Sequence, residues 1–415
     1  MIKKIVILTL LVLSCTLYGQ EGGTSSPYSF YGVGLQQFRG TVENKAMAGL
    51  TLYSDSLHLN IVNPAQLGRL RFVNFTVGGN HNGSTFEDST SESTGTNTTL
   101  DYIALGFPVS KRGAVSFGLM PWSTVGYDID GSDETTTNRF TGEGGTNRVF
   151  LSAGFEVAKG FYLGATSAYH FGNIQNEALR TQNEVELGTL EANRTNYFGL
   201  TWEFGAQYET KISKKLELRS SIQYNVASEI RAANTRQISS VLFNNLGLVT
   251  EIDTVDELLE DSNFSLPSSV IVGLGIGEPN KWFVGGEFRQ SETSNFFNRS
   301  FRTDGVQFID SSSYKAGGFY IPNYNSVTSY FERITYRAGV RYEELGLRVS
   351  GQDINEFGIS FGVGLPARRN ISNLNLTFEY GQRGTTDANL VQEDFFNVGV
   401  SLSLNDIWFL KRKFN

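Results

Sequence analysis

The sequence predicts an all-β protein, a fourteen-stranded antiparallel barrel that spans a membrane. Apolar and polar residues alternate along many stretches, as they do in strands with one apolar face. Short and long connections alternate between those stretches. The composition has 45 Gly, 31 Phe and 18 Tyr but only 3 Met, which suits a β-rich chain better than a helical one.

The last strand, at 395–404, shows the alternation most clearly. Its apolar face carries Phe396, Val398, Val400, Leu402 and Leu404, and the positions between them hold only Asn, Gly and Ser. A strand of this kind has one apolar and one small, polar face.

Length and charge narrow the range of functions. A chain of 415 residues can form a single large barrel. The net charge of −8 disfavours nucleic acid as a partner. Cys15 is the only cysteine, so neither a disulfide framework nor a thiolate metal site is expected.

The first residues predict export. Lys3 and Lys4 precede a short apolar run, and Gly19 precedes Gln20, so 1–19 is interpreted as a signal peptide cleaved after Gly19. Lipidation at Cys15 is the alternative. The apolar run is shorter than the ~20 residues that a membrane-spanning helix needs. No later segment resembles such a helix, so a membrane location requires a barrel.

Residues 20–70 do not alternate and are interpreted as a compact segment packed against something larger. They contain Gly32-Val33-Gly34, then Ala46-Met47-Ala48-Gly49, then Asn63-Pro64-Ala65. Taken alone, Asn63-Pro64-Ala65 is an ordinary turn in which Asn caps the backbone and Pro fixes φ.

The order of these motifs before the first strand resembles the FadL-type outer-membrane transport proteins. Leu266-Pro267-Ser268-Ser269 and Lys281-Trp282 at strand starts add to the resemblance, and residues 404–409 resemble family members from the Bacteroidetes. The resemblance implies an outer-membrane location and a hatch folded inside the barrel. Gly32, Gly34, Asn63, Pro64 and Ala65 would belong to that hatch.

Fourteen strands are predicted in a barrel at 71–404, followed by a periplasmic tail at 405–415. They are 71–86, 98–110, 114–128, 146–158, 161–174, 194–210, 216–229, 267–277, 281–292, 331–343, 345–353, 356–365, 373–382 and 395–404. The short connections are 111–113, 158–160, 211–215, 278–280, 343–344 and 367–372, and the longest are 87–97, 131–146, 175–193, 231–265 and 290–330. Bacterial barrels alternate short periplasmic turns with long outer loops in this way.

Charges identify the inner face, because a charge facing lipid at mid-depth costs about 2–4 kcal/mol. The lumen is therefore predicted to contain Glu203, Glu217, Arg219, Glu287, Arg289, Arg333, Arg337, Arg341, Arg348 and Glu379. The row of Arg333, Arg337 and Arg341 has two interpretations. It could bind a substrate carboxylate, or it could pair with lumen Glu residues and anchor the hatch. A soluble sandwich, with the charged face in water, is the alternative fold.

The connection 231–265 is apolar for a surface loop, with Val241, Leu242, Leu246 and Leu248 among its residues. The resemblance implies an outer groove where a hydrophobic substrate first binds. The alternative is a cap whose apolar residues bury one another.

Catalytic and cofactor motifs are not found. Gly358-Ile359-Ser360-Phe361-Gly362 matches G-x-S-x-G, but Ser360 lies inside an alternating strand and no His follows it. No metal-ligand spacing occurs, so the sequence predicts neither an enzyme nor a cofactor or metal.

Two functions remain open. The first is an outer-membrane channel for passive uptake of a hydrophobic or amphipathic small molecule such as a fatty acid, gated by the hatch. The second is an adaptor or plug in a larger outer-membrane secretion complex. The expected partners are outer-membrane lipid with either the substrate or a secretion-complex protein, and no nucleic acid.

Overall fold

The protein is described from a computed structural model. The structure describes residues 23–53, 55–131, 134–243, 249–258, 261–295, 305–367 and 372–407. The signal peptide, Cys15, Leu246, Leu248 and most of the tail lie outside these residues, so the predictions for them remain predictions.

Within these described residues, nineteen strands form one sheet. They are β1 (Leu35–Gln36), β2 (Val73–Glu87), β3 (Glu92–Ser110), β4 (Gly113–Asp130), β5 (Thr136–Ala158), β6 (Phe161–Gln182), β7 (Gly188–Lys211), β8 (Glu217–Asn225), β9 (Ser228–Phe243), β10 (Val249–Leu258), β11 (Ser262–Leu266), β12 (Ser269–Glu278), β13 (Trp282–Ser291), β14 (Val306–Phe308), β15 (Ser311–Tyr320), β16 (Thr335–Val349), β17 (Gln352–Pro366), β18 (Asn373–Gly384) and β19 (Gln392–Asp406).

The sheet closes on itself because β19 pairs with β2 along its whole length, from Gln392 opposite Glu87 to Asp406 opposite Val73. Three wall strands are each interrupted once, as β8 with β9, β11 with β12, and β14 with β15. With each such pair counted once, and with β1 and β10 left out, the wall is an antiparallel barrel of fourteen strands.

One part of the wall is not a continuous ladder. β3 and β4 pair only from Ser110 opposite Gly113 to Ile103 opposite Leu119. Beyond that point the free edge of β4 pairs with β1, with Leu35 opposite Thr124. The N-terminal part of the chain therefore covers the place where β3 and β4 separate.

The two faces of the wall have opposite polarity. Large apolar side chains are exposed on the exterior, with Leu151 60%, Leu274 60% and Phe361 59% exposed. Glu203 is 6% and Arg337 7% exposed, and both point inward. A closed barrel with an apolar exterior is a membrane-spanning barrel, so the sandwich alternative is wrong.

Helices are few and short. A 3-10 turn covers Pro27–Phe30, α1 covers Val42–Lys45, and a second 3-10 helix covers Pro64–Arg69. Further 3-10 turns lie at Thr293–Asn295, Phe331–Arg333 and Asp387–Asn389. No helix in the described part of the chain is long and apolar enough to cross a membrane.

The strand count was predicted correctly, but two predicted boundaries are wrong. The predicted strands 331–343 and 345–353 are one strand, β16, and its turn is at Ser350-Gly351 rather than 343–344. β15 was missed inside the predicted loop 290–330. Gly317, Gly318 and Ala316 weaken its alternation, because small residues carry little β-propensity.

The predicted long loops are mostly strand. β3, β5, β6, β7 and β9 continue through most of 92–97, 136–146, 175–182, 188–193 and 231–243. These extensions alternate poorly because, beyond the hydrocarbon layer, neither face needs to be apolar. The connections of β2 to β3 and β16 to β17 are in fact short, at 88–91 and 350–351. The two ends of the barrel therefore differ in how far the strands extend as well as in the length of the loops.

Candidate functional site in the lumen

Residues 23–70, here called the N-terminal segment, run through the lumen. We take the end of the barrel with turns 111–112, 159–160 and 279–281 as periplasmic, as in bacterial barrels. Near the outer end, Asn97 Nδ2 donates to the Gly23 carbonyl at 2.6 Å. Near the periplasmic end, Asn74 Nδ2 donates to the Leu57 carbonyl at 2.9 Å. The segment therefore contacts the wall at both ends.

The Asn63-Pro64-Ala65 turn is buried against a cross-strand row of glycines. Asn63 Oδ1 accepts from the Ala65 amide at 3.1 Å and caps the helix Pro64–Arg69, as expected for an Asn-Pro turn. The row consists of Gly154, Gly164 and Gly205 on β5, β6 and β7. A Cβ at Gly164 would lie 2.3 Å from the Pro64 carbonyl carbon, so only glycine allows this approach.

A second row of glycines receives residues 47–52. Gly275, Gly285, Gly317 and Gly339 are cross-strand neighbours on β12, β13, β15 and β16. A Cβ at Gly339 would lie 2.4 Å from the Met47 carbonyl carbon, and one at Gly275 3.0 Å from Leu52 Cδ2. Because the glycines in these two rows have no side chains, the segment can approach the backbone of the wall closely.

Polar bonds fix the same stretch. The Thr51 amide donates to both oxygens of Glu287 at 3.0 Å, and Thr377 Oγ1 donates to the Val42 carbonyl at 2.9 Å. Thr41 caps α1 in a capping box with Asn44. The middle of the segment therefore joins β13 to β18 across the lumen.

The predicted lumen residue Glu203 is the centre of a buried ion cluster. Its Oε1 lies 2.7 Å from Arg148 Nη1 and 2.9 Å from Arg39 Nη1. Arg148 belongs to β5 and Arg39 to the N-terminal segment. Glu203 thus connects the wall to the segment.

The predicted arginine row is divided by the structure. Arg341 points inward and pairs with Glu356 and Glu379. Arg337 also points inward, with Nη1 3.3 Å from Asn375 Oδ1. Arg333 is not on the strand, because it ends the turn Phe331–Arg333 before β16 begins.

Two other predicted lumen arginines differ in position. Arg219 is 3% exposed, and its guanidinium lies 4.3 Å from the centre of the Tyr53 ring in the segment. Arg348 was predicted to be inside and is instead outside, where it pairs with Asp353 at 2.5 Å. Arg348 is an even-numbered residue of β16, and the odd-numbered residues of β16 face inward. Arg348 was assigned from the sequence to a separate strand, 345–353, so this alternation was not recognised.

Gly32 and Gly34 form the turn that leads into β1. Their φ values are +68° and +87°, in the left-handed region that favours glycine. A Cβ at Gly34 would lie 2.3 Å from the Thr124 carbonyl oxygen. Both positions therefore require glycine for the segment to pair with β4.

The segment divides the lumen into two cavities. The outer cavity has a volume of about 330 Å³ and is lined by Lys45, Thr51 and Arg289 among others. The periplasmic cavity has a volume of about 170 Å³ and is lined by Met47, His58 and Arg337 among others. Residues 41–53 separate the two cavities.

His58 joins the segment to the wall at the periplasmic end. Its Nδ1 lies 2.6 Å from Asp55 Oδ2, and its Nε2 lies 2.9 Å from Asn373 Nδ2 on β18. Burial lowers the pKa of His58, but the charge and hydrogen bond of Asp55 outweigh burial and raise it above its ordinary value. The carboxylate of Asp55 therefore favours the protonated form of His58.

The apolar connection 231–265 is a β-hairpin rather than a loop. Val241 is fully buried opposite Gly188 of β7, and Leu242 is half-buried. The arrangement of Val241 resembles the predicted cap more than an open groove.

Ser360 lies within β17, as predicted, and its cross-strand neighbours are Gly339 and Glu379. No three His, Cys, Asp or Glu side chains are grouped as metal ligands among the residues the structure describes.

Sequence reasoning missed the glycine rows. The glycines were visible as Gly at inward positions of adjacent strands, but their alignment depends on register. Arg289 was predicted to be in the lumen, and it lines the outer cavity with its Nε 3.2 Å from Ser291 Oγ.

A family model described as BamG matches residues 1–415. The chain belongs to the BamG family. The comparison with curated proteins finds no match.

Solved structures share the fold of this BamG-family chain. The Pseudomonas putida toluene transporter TodX is 15% identical with a TM-score of 0.61, and the alignment covers 90% of this chain and 100% of TodX. The CymD monoaromatic hydrocarbon channel is 13% identical with a TM-score of 0.59, covering 89% and 98%. A Pseudomonas aeruginosa FadL homologue is 12% identical with a TM-score of 0.56, covering 91% and 100%.

The fold of this BamG-family chain is therefore that of the FadL-type outer-membrane barrels, as the sequence motifs predicted. CymD is named as a channel and TodX as a transporter, and neither is named as an enzyme.

Proposed function

We propose that this BamG-family barrel is an outer-membrane channel for passive uptake of small hydrophobic or amphipathic molecules, with residues 20–70 as its gate. The division of the lumen carries the proposal. Residues of the stretch 41–53 line both the outer and the periplasmic cavity, so displacing that stretch would open a path between them. TodX and CymD, which share the fold, are named for toluene and monoaromatic hydrocarbons.

The mechanism needs no covalent chemistry. A molecule would partition into the outer cavity, and the segment would then shift between two arrangements. The contacts that hold residues 41–53 include hydrogen bonds to Glu287 and Thr377, which water or a ligand can replace. These polar contacts separate at lower cost than apolar ones would. The same stretch also buries Leu50 and Leu52 in an apolar cluster with Phe283, which the shift would have to open.

A disulfide that tethers α1 to the wall tests the gate. A Cβ at Gly399 would be in van der Waals contact with the Val42 side chain, 3.6 Å from its Cγ2, so cysteines at positions 42 and 399 would face each other. In proteoliposomes, the oxidised variant should lose uptake of a fluorescent long-chain fatty acid, and reduction should restore it. The single variant Val42→Cys is the control. Equal uptake by the oxidised and reduced forms would refute gating by α1.

The adaptor function remains the second candidate, and a recess in the exterior wall favours it. Gly286 and Ala316 lie in a recess of about 570 Å³ that Leu274, Tyr314 and Val340 also line. A neighbouring membrane protein could pack there. Photo-crosslinking from position 314 in native membranes should then capture one large protein, and deletion of the chain should leave uptake intact.

A further inference from the structure

The connection 321–334, between β15 and β16, differs from the other described connections at the periplasmic end. The others are much shorter, at 111–112, 159–160, 212–216 and 279–281. Backbone bonds give the long connection a defined shape. The Asn323 amide donates to the Glu332 carbonyl at 2.8 Å and closes its base, and the Ser326 amide donates to the Asn323 carbonyl at 3.1 Å. The connection is therefore a structured loop that presents fixed side chains.

The exposed side chains of this loop are unusually apolar. Val327 is 98% and Phe331 73% exposed, the two highest values for large apolar side chains among the described residues. Tyr330, beside Phe331 in the chain, is 42% exposed. Contact of such side chains with water is unfavourable, in proportion to their apolar area. These three side chains therefore suit an apolar phase better than the aqueous periplasm.

The loop continues the lipid-facing exterior of the barrel. Trp282, Tyr320 and Tyr336 are cross-strand neighbours at the periplasmic ends of β13, β15 and β16. Tyr320 and Tyr336 are exposed on the exterior, as in the aromatic belts at membrane interfaces. Tyr336 Oη donates to the Phe331 carbonyl at 3.3 Å. The loop backbone at Phe331 therefore contacts this belt directly.

Other side chains of the same loop face the lumen. Ile321, Tyr324 and Arg333 line the periplasmic cavity, and Val327 and Phe331 do not. The loop thus has one set of side chains at the cavity and a separate, apolar set that is exposed beside the exterior belt.

We propose that Val327, Tyr330 and Phe331 insert into the periplasmic phospholipid leaflet, so that loop 321–334 is an interfacial anchor of the barrel. Continuity with the lipid-facing belt carries the inference, because the membrane is the apolar phase that adjoins the loop at Tyr336. Aromatic rings favour this depth, where an apolar ring lies beside the lipid headgroups. The anchor does not depend on the proposed uptake.

A fluorescent bimane label tests the anchor. Phe331→Cys, in a Cys15→Ser background that removes the only native cysteine, provides a single labelling site. In vesicles of phosphatidylethanolamine and phosphatidylglycerol, the label should emit at shorter wavelength than in water. A spin label on the acyl chain near the headgroup should quench it strongly, and iodide present on both sides of the vesicle should quench it weakly. Lys214→Cys, on the exposed turn 212–216, is the matched control and should show the opposite preference.

Stronger quenching of the label at position 331 by iodide than by the spin-labelled lipid would overturn the proposal. A label that iodide quenches in vesicles but not in native outer membranes would also overturn it, because that pattern indicates a protein partner. Heat-modifiable gel mobility checks that each labelled barrel is folded. If Phe331→Cys does not fold, Tyr330→Cys gives the same test with the same two outcomes.

Discussion

Single residues hold the N-terminal segment through buried ion pairs. Arg148 is 2% exposed, and the carboxylate of Glu203 is shared between it and Arg39. Within the wall, Arg383 pairs with Glu356 at 2.5 Å and with Glu393 at 2.9 Å, and Ser26 of the segment donates to Glu393 Oε2 at 2.6 Å. A buried pair adds little net stability over apolar residues, but removing one partner is costly because it leaves a buried charge unpaired.

We therefore expect Glu203→Gln to destabilise the barrel by about 3–5 kcal/mol. The exposed pair of Arg348 and Asp353 provides the control, since Asp353→Asn should cost less than about 1 kcal/mol. Unfolding in urea, followed by tryptophan fluorescence in detergent, measures both. Similar costs for the two variants would contradict the role assigned to Glu203.

The His58 pair makes part of the stability depend on pH. The pKa of His58 is raised in the folded protein, so the pair stabilises fully below about pH 6.5 and its contribution is lost as pH rises through the raised value. His58→Gln should lower the Tm more at about pH 5.5 than at about pH 9. His81→Gln, at an exposed residue, should show no such difference. An equal Tm loss at both pH values would refute the ion pair.

Among the structural elements, the two glycine rows set where the segment docks. The first row receives the turn at Asn63-Pro64-Ala65, and the second receives residues 47–52. Each row needs inward glycines at matched register on adjacent strands. The segment and the wall are therefore complementary in shape as well as in charge.

Gly164→Val should displace the turn at Pro64, because its Cβ would overlap the Pro64 carbonyl carbon. Overpacking of this kind costs about 1–3 kcal/mol. The N-terminal segment should then be cut faster by trypsin, for example at Arg69. Gly83→Val is the control, since a Cβ at Gly83 meets nothing within 4 Å. Equal cleavage rates would show that the glycine row does not hold the segment.

The hairpin of β9 and β10 gives a second test at this scale. Val241 is buried against β7 and is not free to form a groove, whereas Ile252 and Val255 of the same hairpin are exposed. Replacing residues 236–257 with Asn-Gly, between the paired Thr235 and Leu258, should leave the barrel folded and uptake of hydrophobic compounds unchanged. Reduced uptake would instead support the outer groove predicted from the sequence.

The whole molecule is a wide barrel whose lumen is filled by its own chain. Fourteen strands enclose more space than wall side chains fill, and the inward glycines widen it further. The N-terminal segment occupies that space and also covers the free edge of β4. Its removal should leave a folded but open barrel, because the wall ladder from β19 to β2 does not include it.

Deletion of residues 23–70 should therefore produce a stable pore in planar bilayers, with conductance several times that of the intact protein. The tethered Val42→Cys/Gly399→Cys variant, when oxidised, should have the lowest conductance. Heat-modifiable gel mobility checks that the deleted barrel is folded. A deletion variant that folds yet conducts no more than the intact protein would show that the segment does not close the lumen.

Much of the fold followed from alternation. The face of Arg337 and Glu203, the closing strand at 395–404 and the strand count were all predicted correctly. β15 was missed and β16 was split, because Gly-rich and Glu-rich stretches hide the period of two. The site was less predictable. Arg348 was placed on the wrong face, and the glycine rows depend on register across several strands.

The sequence by itself determined the barrel, because lipid outside and charge inside impose a pattern that each strand carries locally. The tertiary structure alone decided which lumen charges are paired, since partners such as Arg39 and Glu203 lie far apart in the chain. It also decided where the segment docks, because close approach depends on glycines that only strand register brings into line.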